Sequence, residues 1–169
     1  MVTGRVQRGV LPLGATVELV GVREGVGGQA VVTGIEAFHD EQLEARAGDN
    51  VGLLLRGVGR FDVERGLLIA APGSIAEHGG GEAELFLLTA KEGGRHTPFG
   101  TGYMPQFFFG ATDVTGTLES RPPDALVMPG DHAQVRFALK RPVGIEAGMR
   151  FALREGGRTI GAGVITAVK

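Results

Sequence analysis

Short runs of β-branched and aromatic residues recur between glycine turns along the whole chain, and this pattern restricts the fold more than any other feature. Glycine accounts for 30 of the 169 residues, well above the roughly 7% of an average protein. Closely spaced short strands are typical of barrels and sandwiches. We therefore predict an all-β protein, with strands at Thr16–Val22, Ala30–Glu36, Val51–Arg56, Leu67–Ala71, Glu82–Leu88, Gln106–Phe109, Val114–Glu119, Gln134–Lys140, Met149–Arg154 and Gly163–Val168.

The segment Pro72–Gly81 is rich in chain breakers and poor in residues that could be buried. This composition is typical of a flexible connection between domains. We predict an interdomain linker here, with one β-barrel in residues 1–73 and a second in residues 78–169. The best helical candidate in the chain, Glu41–Ala47, is too short to be stable alone.

Charge and composition exclude several classes of function. The formal net charge is −2, whereas general polyanion-binding domains carry a strong basic excess. Any RNA site must therefore be local, and DNA is not an expected partner. No apolar run reaches the roughly 18 residues of a membrane span, and the absence of cysteine suits a reducing compartment. We expect a cytoplasmic protein that binds no membrane.

Enzymatic chemistry has little support in the sequence. The three lysines, at positions 91, 140 and 169, do not follow a glycine, which excludes a phosphate-binding P-loop. The four histidines show no metal-ligand spacing, and neither serine lies in a nucleophile elbow. We expect no catalytic residue, no metal site and no bound cofactor.

Two glycine-containing segments offer the groups that RNA binding requires. In Lys91–Phe99, Arg95 and His96 follow a glycine pair, and Arg154–Val164 contains a second Gly-Gly-Arg sequence. Guanidinium groups and backbone amides can face the same phosphate oxygens. The alternative is that Arg95 caps a loop carbonyl while Phe99 fills the core.

Three consecutive aromatic residues, Phe107, Phe108 and Phe109, lie on a predicted strand. Side chains alternate between the two faces of a strand, so these rings must point in both directions. Stacking on bases is one role for them, but we expect packing in the core to be their main role.

Five further segments are similar in sequence to one known family: Val2–Gly9, Val32–Glu36, Ala47–Gly57, Val63–Gly66 and Thr112–Gly116. Together with the two segments above, they resemble the second and third domains of bacterial elongation factor Tu, the translation GTPase that carries aminoacyl-tRNA to the ribosome. The resemblance implies two consecutive six-stranded antiparallel β-barrels of the translation-factor kind, the first lacking its first strand. It does not extend to the nucleotide-binding domain, which is the part of the family that binds GTP and magnesium.

The resemblance also implies two sets of tRNA contacts. The family's second domain holds the acceptor end, with the terminal adenosine against the position of Glu36, the aminoacyl group near Phe38 and Asn50, and the adenine pocket at Leu54. The third domain grips the T stem at positions matched by Arg95, His96, Gln106, Thr115, Arg141, Glu155 and Gly156. A carboxylate, an amide and an apolar wall suit recognition of an unstacked 3′ end.

The chain departs from the family where cations are usual. Phe38 is followed by His39 and Asp40 in place of Arg-Lys, and Met104 and Gly110 stand where the family usually has arginine. Each change removes or weakens a phosphate contact. We expect a weakly binding aminoacyl-tRNA module, with a GTPase domain in cis or trans and the ribosome as further partners. The alternatives are a protein-interaction module that docks on a GTPase domain or ribosomal partner after losing RNA binding, and a truncated gene product without its own role.

Overall fold

The computed structural model describes residues 1–21 and 28–169. They divide into two compact units, Met1–Ile75 and Ala76–Lys169, and most of them lie in strands. The all-β prediction is confirmed. The predicted strand Thr16–Val22 is present as Thr16–Val20, and its last residue, Val22, lies outside the described residues.

The strands of the N-terminal unit form mainly one antiparallel sheet. In chain order they are β1 Val2–Arg5, β2 Val10–Pro12, β3 Thr16–Val20, β4 Gly28–Ala37, β5 Asp40–Gln42, β6 Glu44–Arg46, β7 Asn50–Arg56 and β8 Leu68–Ala70. The sheet order is β1-β7-β4-β3-β8, with β5 added to β4, while β2 and β6 form a separate ribbon. Over the residues described, no ladder joins β1 to β8, so these two strands are the open edges of the sheet.

The segment Glu41–Ala47, judged too short to form a stable helix, holds the end of β5 and all of β6. Ala45 of β6 is fully buried opposite Leu11 of β2. These two strands are recognised only from their pairing in the folded structure, because three residues are too few to show a hydrophobic alternation.

Alternating side chains build the core of the N-terminal unit. Val32 and Ile35 of β4 and Val51 and Leu53 of β7 are buried together. Glu36, Asn50 and Leu54 stand next to these buried residues on the two strands and are exposed, so three of the predicted acceptor-end contacts face outward.

The C-terminal unit is a closed antiparallel barrel. Its strands are β9 Glu77–Leu87, β10 Gln106–Phe109, β11 Thr112–Ser120, β12 His132–Gly144, β13 Arg150–Glu155 and β14 Arg158–Val168, in the order β10-β11-β12-β9-β14-β13. The predicted second barrel is confirmed by this closure. Short 3₁₀ turns lie at Arg60–Asp62 in the first unit and Ala90–Glu92 in the second.

A group of phenylalanines fills the barrel. Phe107, Phe109, Phe137 and Phe151 have ring centroids 5.5 to 6.5 Å apart. Phe108 alternates to the outer face, so the expectation that the aromatic run mainly serves the core is confirmed for its first and third members.

The predicted linker Pro72–Gly81 is wrong in its second half, because β9 begins at Glu77. A Cβ on Gly80 would lie 2.5 Å from the carbonyl oxygen of Phe137, and one on Gly81 would meet the carbonyl oxygen of Ala167. These glycines are therefore required by close approach of neighbouring strands and not by chain flexibility. In the described part of the chain, no helix is long and apolar enough to span a bilayer.

Candidate functional site

The first candidate surface is the outer face of β4 and β7 in the N-terminal unit, formed by Gly34, Glu36, Asn50, Gly52 and Leu54. We call it the β4–β7 face. Glu36 is paired with Gly52, and Gly34 with Leu54. Antiparallel partners project to the same side of a sheet. The structure thus brings three of the four predicted acceptor-end residues, Glu36, Asn50 and Leu54, to one face.

Two glycines give this face its shape. A Cβ on Gly34 would lie 2.9 Å from Leu54 Cδ1, and one on Gly52 would lie 2.7 Å from Met1 Sδ. The side chains of Leu54 and Met1 therefore lie across the sheet where a larger residue would stand. These two side chains form an apolar surface beside the Glu36 carboxylate.

The fourth predicted residue, Phe38, stands at the tip of the β4–β5 hairpin. Ala37 pairs with Asp40, which leaves Phe38 and His39 as a two-residue turn with φ of 54° and 67°. Non-glycine residues adopt this left-handed conformation at a cost in free energy. The turn holds the Phe38 ring 96% exposed, with His39 beside it.

Asn50 lies at the side of the β4–β7 face nearest to β1. It is paired with Arg5, and the two line a shallow open cleft with Thr3, Gly4 and Val51. The sequence reasoning missed Arg5, a cation placed beside the predicted site. Register across two strands far apart in sequence is what brings it there.

The second candidate surface lies on the barrel, on the outer side of β10, β11 and β13. Gln106 is paired with Thr115 on one side and with Arg154 on the other. We call the row Thr115, Gln106 and Arg154 the β10 row. Arg141 Nη2 donates to the carbonyl oxygen of Asp113, two residues before Thr115 on β11, over 2.8 Å.

Arg154 was not among the predicted contacts. Its guanidinium carbon lies 5.2 Å from the centroid of the Phe108 ring, and its Nη2 donates to the carbonyl oxygen of Gly157 over 2.5 Å. Its Nε is buried, and within residues 1–21 and 28–169 it has no hydrogen-bond partner. The β10 row therefore offers a guanidinium, an amide and a hydroxyl in line across three strands.

A third group of side chains surrounds Arg95, and we call Arg95, Thr97, Tyr103 and Glu155 the Arg95 cluster. Arg95 Nη1 donates to Glu155 Oε1 over 2.6 Å. Its Nε donates to the Thr97 carbonyl oxygen and its Nη2 to Thr97 Oγ1, both over 3.2 Å. Its guanidinium carbon lies 4.5 Å from the centroid of the Tyr103 ring.

The local sequence explains how Arg95 reaches this position. Thr89 and Glu92 cap the 3₁₀ turn reciprocally, and the Thr89 hydroxyl and backbone hold the pKa of Glu92 below its usual value. Gly93 then reverses the chain with φ of 92°. A Cβ on Gly94 would meet the Leu88 carbonyl, so only glycine permits this close return toward the barrel.

Tyr103 packs on the other side of Arg95. Its ring stacks on buried Phe99 with centroids 4.8 Å apart, and its hydroxyl is buried with no hydrogen-bond partner among the described residues. Burial raises the pKa of Tyr103 to about 12, while the neighbouring Arg95 acts in the opposite direction. Of the two alternatives for this loop, the observed geometry has Arg95 on a loop carbonyl and Phe99 in the core.

Glu155 and Gly156 belong to the turn between β13 and β14. Glu155 pairs with Arg158, and Gly156 and Gly157 form the turn with φ of 58° and 79°. His96, next to Arg95 in the chain, is exposed on the loop. The Arg95–Glu155 pair thus joins the loop that carries His96 to the turn that carries Gly156.

Among residues 1–21 and 28–169, no three His, Asp or Glu side chains are placed to hold a metal ion together.

Comparison with known families gives two matches that follow one another along the chain. Residues 1–70 match the family model for elongation factor Tu domain 2, and residues 74–169 match the model for the elongation factor Tu C-terminal domain. No GTPase domain is matched alongside them.

Proposed function

The chain belongs to the elongation factor Tu family through its second and C-terminal domains, and from this premise we propose that it is an aminoacyl-tRNA-binding module of a translation elongation protein. The module acts in the cytoplasm, where aminoacyl-tRNA is used. GTP hydrolysis is the task of a GTPase domain that works with it in cis or in trans. In this proposal, GTP and magnesium bind to that GTPase domain and not to the residues described here.

The observation that supports the proposal most is the β10 row. Thr115, Gln106 and Arg154 align across neighbouring strands, and Arg141 is bonded to the backbone of β11 at Asp113. Hydroxyl, amide and guanidinium donors are the groups that contact phosphate and ribose oxygens. Double-stranded RNA is read mainly through such backbone and 2′-hydroxyl contacts, so this row suits the T stem.

The β4–β7 face suits the acceptor end of the same ligand. A planar base can lie on the apolar surface that the side chains of Leu54 and Met1 form over Gly34 and Gly52. The Glu36 carboxylate can accept a hydrogen bond from a ribose hydroxyl or an amino group. Stacking on a flat apolar surface combined with polar edge contacts is how unpaired nucleotides are recognised.

Filter binding of the chain to aminoacylated and deacylated tRNA, at low and at moderate salt, tests this function. We expect weak binding that Gln106→Ala reduces, because the amide at the centre of the β10 row is lost. Gln134→Ala is the matched control, since Gln134 is an exposed glutamine on β12 outside the row. Equal effects of the two variants, or no binding of the wild type at low salt, would refute the proposal.

The second candidate function is docking on a protein partner, and exposed apolar side chains in the N-terminal unit favour it. Phe38, Phe61 and Leu43 are 96%, 85% and 80% exposed. Asp40 lies in the same hairpin as Phe38 and would repel phosphate. If tRNA binding is absent at low salt, this candidate, with a GTPase domain or a ribosomal partner as its ligand, takes the place of the first.

A further inference from the structure

Two residues at positions that match RNA contacts of the family, Arg95 and Glu155, are bound to each other in this structure. Resting on the proposed function, we propose that Arg95 is a positioning residue. Its guanidinium holds the loop of residues 91–99 against the β13–β14 turn and so fixes the RNA-facing edge of the barrel. It does not contact phosphate itself.

The hydrogen bonds of Arg95 support this role. Its Nη1, Nε and Nη2 each donate to a protein oxygen, on Glu155 or Thr97. Tyr103 covers one face of the guanidinium, and the Arg95 side chain is only 16% exposed. To contact phosphate, the Arg95 guanidinium would have to leave these partners. The Glu155 carboxylate would then lose its neutralising cation.

The charge of Glu155 also supports a positioning role for Arg95. A carboxylate on a turn that faces RNA repels phosphate unless a cation neutralises it. The Glu155 side chain is 39% exposed, so its charge reaches the surface of the barrel. Pairing with Arg95 over 2.6 Å cancels that charge locally and leaves the backbone amides of Gly156 and Gly157 as the groups that can approach an oxyanion.

The position of the pair in the chain shows what it would hold. Arg95 and Glu155 are 60 residues apart in sequence. Arg95 follows the reversal at Gly93, and Glu155 precedes the reversal at Gly156. One ion pair therefore links two tight turns, and His96 and Gly156 keep a fixed spacing only while it is made.

The first test measures how tRNA binding depends on salt. The slope of log K against log salt is negative, and each lost phosphate contact reduces its magnitude by about 0.7 to 0.9. We expect Arg95→Ala to weaken binding severalfold with an unchanged slope. Arg150→Ala removes an equal charge from exposed β13 surface outside the cluster. It is the control for the fluorescence test described next, in which it should leave the quenching unchanged. A slope that falls by one phosphate contact in Arg95→Ala would overturn the proposal.

The second test needs no RNA. Tyr103 is the single tyrosine in a chain without tryptophan, so quenching of its fluorescence by acrylamide reports on the Arg95 cluster alone. We expect the quenching constant to rise in Arg95→Ala and in Glu155→Ala, because the loop leaves the turn and admits solvent. The exchanged pair, Arg95→Glu with Glu155→Arg, should recover part of the lost protection.

The two tests separate failure of this inference from failure of the proposed function. If the wild type binds no tRNA, the proposed function fails, and the quenching series still decides whether Arg95 holds the loop. Unchanged quenching in Arg95→Ala, or an exchanged pair no better than either single reversal, would overturn the positioning role.

Discussion

At the scale of single residues, Tyr103 combines two features that act on each other. Its ring is held between Phe99 and the Arg95 guanidinium, and its hydroxyl is buried with no hydrogen bond inside the described part of the chain. Burial penalises the phenolate, so the folded protein retains the proton up to a pKa of about 12.

We predict that the stability of the protein falls between pH 10 and about pH 12 through this one group. The unfolded chain releases the Tyr103 proton near pH 10 and the folded protein near pH 12. The folded state therefore binds more protons in this interval, and the free energy of unfolding decreases as pH rises.

Urea unfolding of the wild type and Tyr103→Phe across this pH range checks the prediction. The variant should lose less stability than the wild type, while lysine titration contributes equally to both. Parallel pH profiles for the two proteins would contradict the prediction.

At the scale of secondary-structure elements, β9 shows how close packing of strands dictates sequence. It lies between β12 and β14, and Gly80 and Gly81 face backbone carbonyls of those two neighbours. Backbone cannot move aside as a flexible side chain can. Gly79 is one residue away on the same strand, and a Cβ there would meet nothing within 4 Å.

We predict opposite outcomes for alanine at Gly81 and at Gly79, two residues apart on this strand. Gly81→Ala should destabilise the barrel by about 1–3 kcal/mol, the usual cost of forcing extra atoms into a packed region. Gly79→Ala should be neutral or stabilise it by up to about 1 kcal/mol, because alanine restricts the unfolded chain. Urea unfolding measures both, and similar small effects would show that this segment behaves as a flexible connection.

The same strand marks the limit of prediction from sequence. β-branched and aromatic runs predicted the positions of most strands, since their period and spacing are local properties. Gly79–Gly81 was taken for a linker because chain breakers look alike whether they serve flexibility or close approach. The Arg95–Glu155 pair was also invisible, because residues 60 apart meet only through barrel closure.

Part of the candidate site was accessible from sequence and part was not. The resemblance pointed to Glu36, Asn50 and Leu54, and the structure places them on one face. Sequence did not indicate Arg154, which joins the β10 row through its pairing with Gln106. Register between strands depends on the whole sheet, so no single segment encodes it.

At the scale of the whole molecule, the two units differ in how their sheets end. The barrel of the C-terminal unit closes through β13 and β10, whereas β1 and β8 form open edges in the described part of the N-terminal unit. Backbone groups at an open edge exchange with solvent through small local openings.

We predict faster amide hydrogen exchange in β1 and β8 than in β9. Strand β9 has a partner on both sides, whereas each edge strand has one. Exchange measured by mass spectrometry on the whole chain, with peptides resolved for each strand, tests this. Equal protection would mean that the edges are covered in solution, by a second copy or by rearranged strands.

The position of β9 in the barrel also has a consequence for synthesis. It is the first strand of its unit to be made, yet its neighbours are β12 and β14, and Gly81 pairs with Val168 at the end of the last strand. Contacts between distant parts of a chain form slowly. The nascent polypeptide therefore carries Glu77–Leu87 without either neighbour until β12 has been made, and with one edge unpaired until β14 follows.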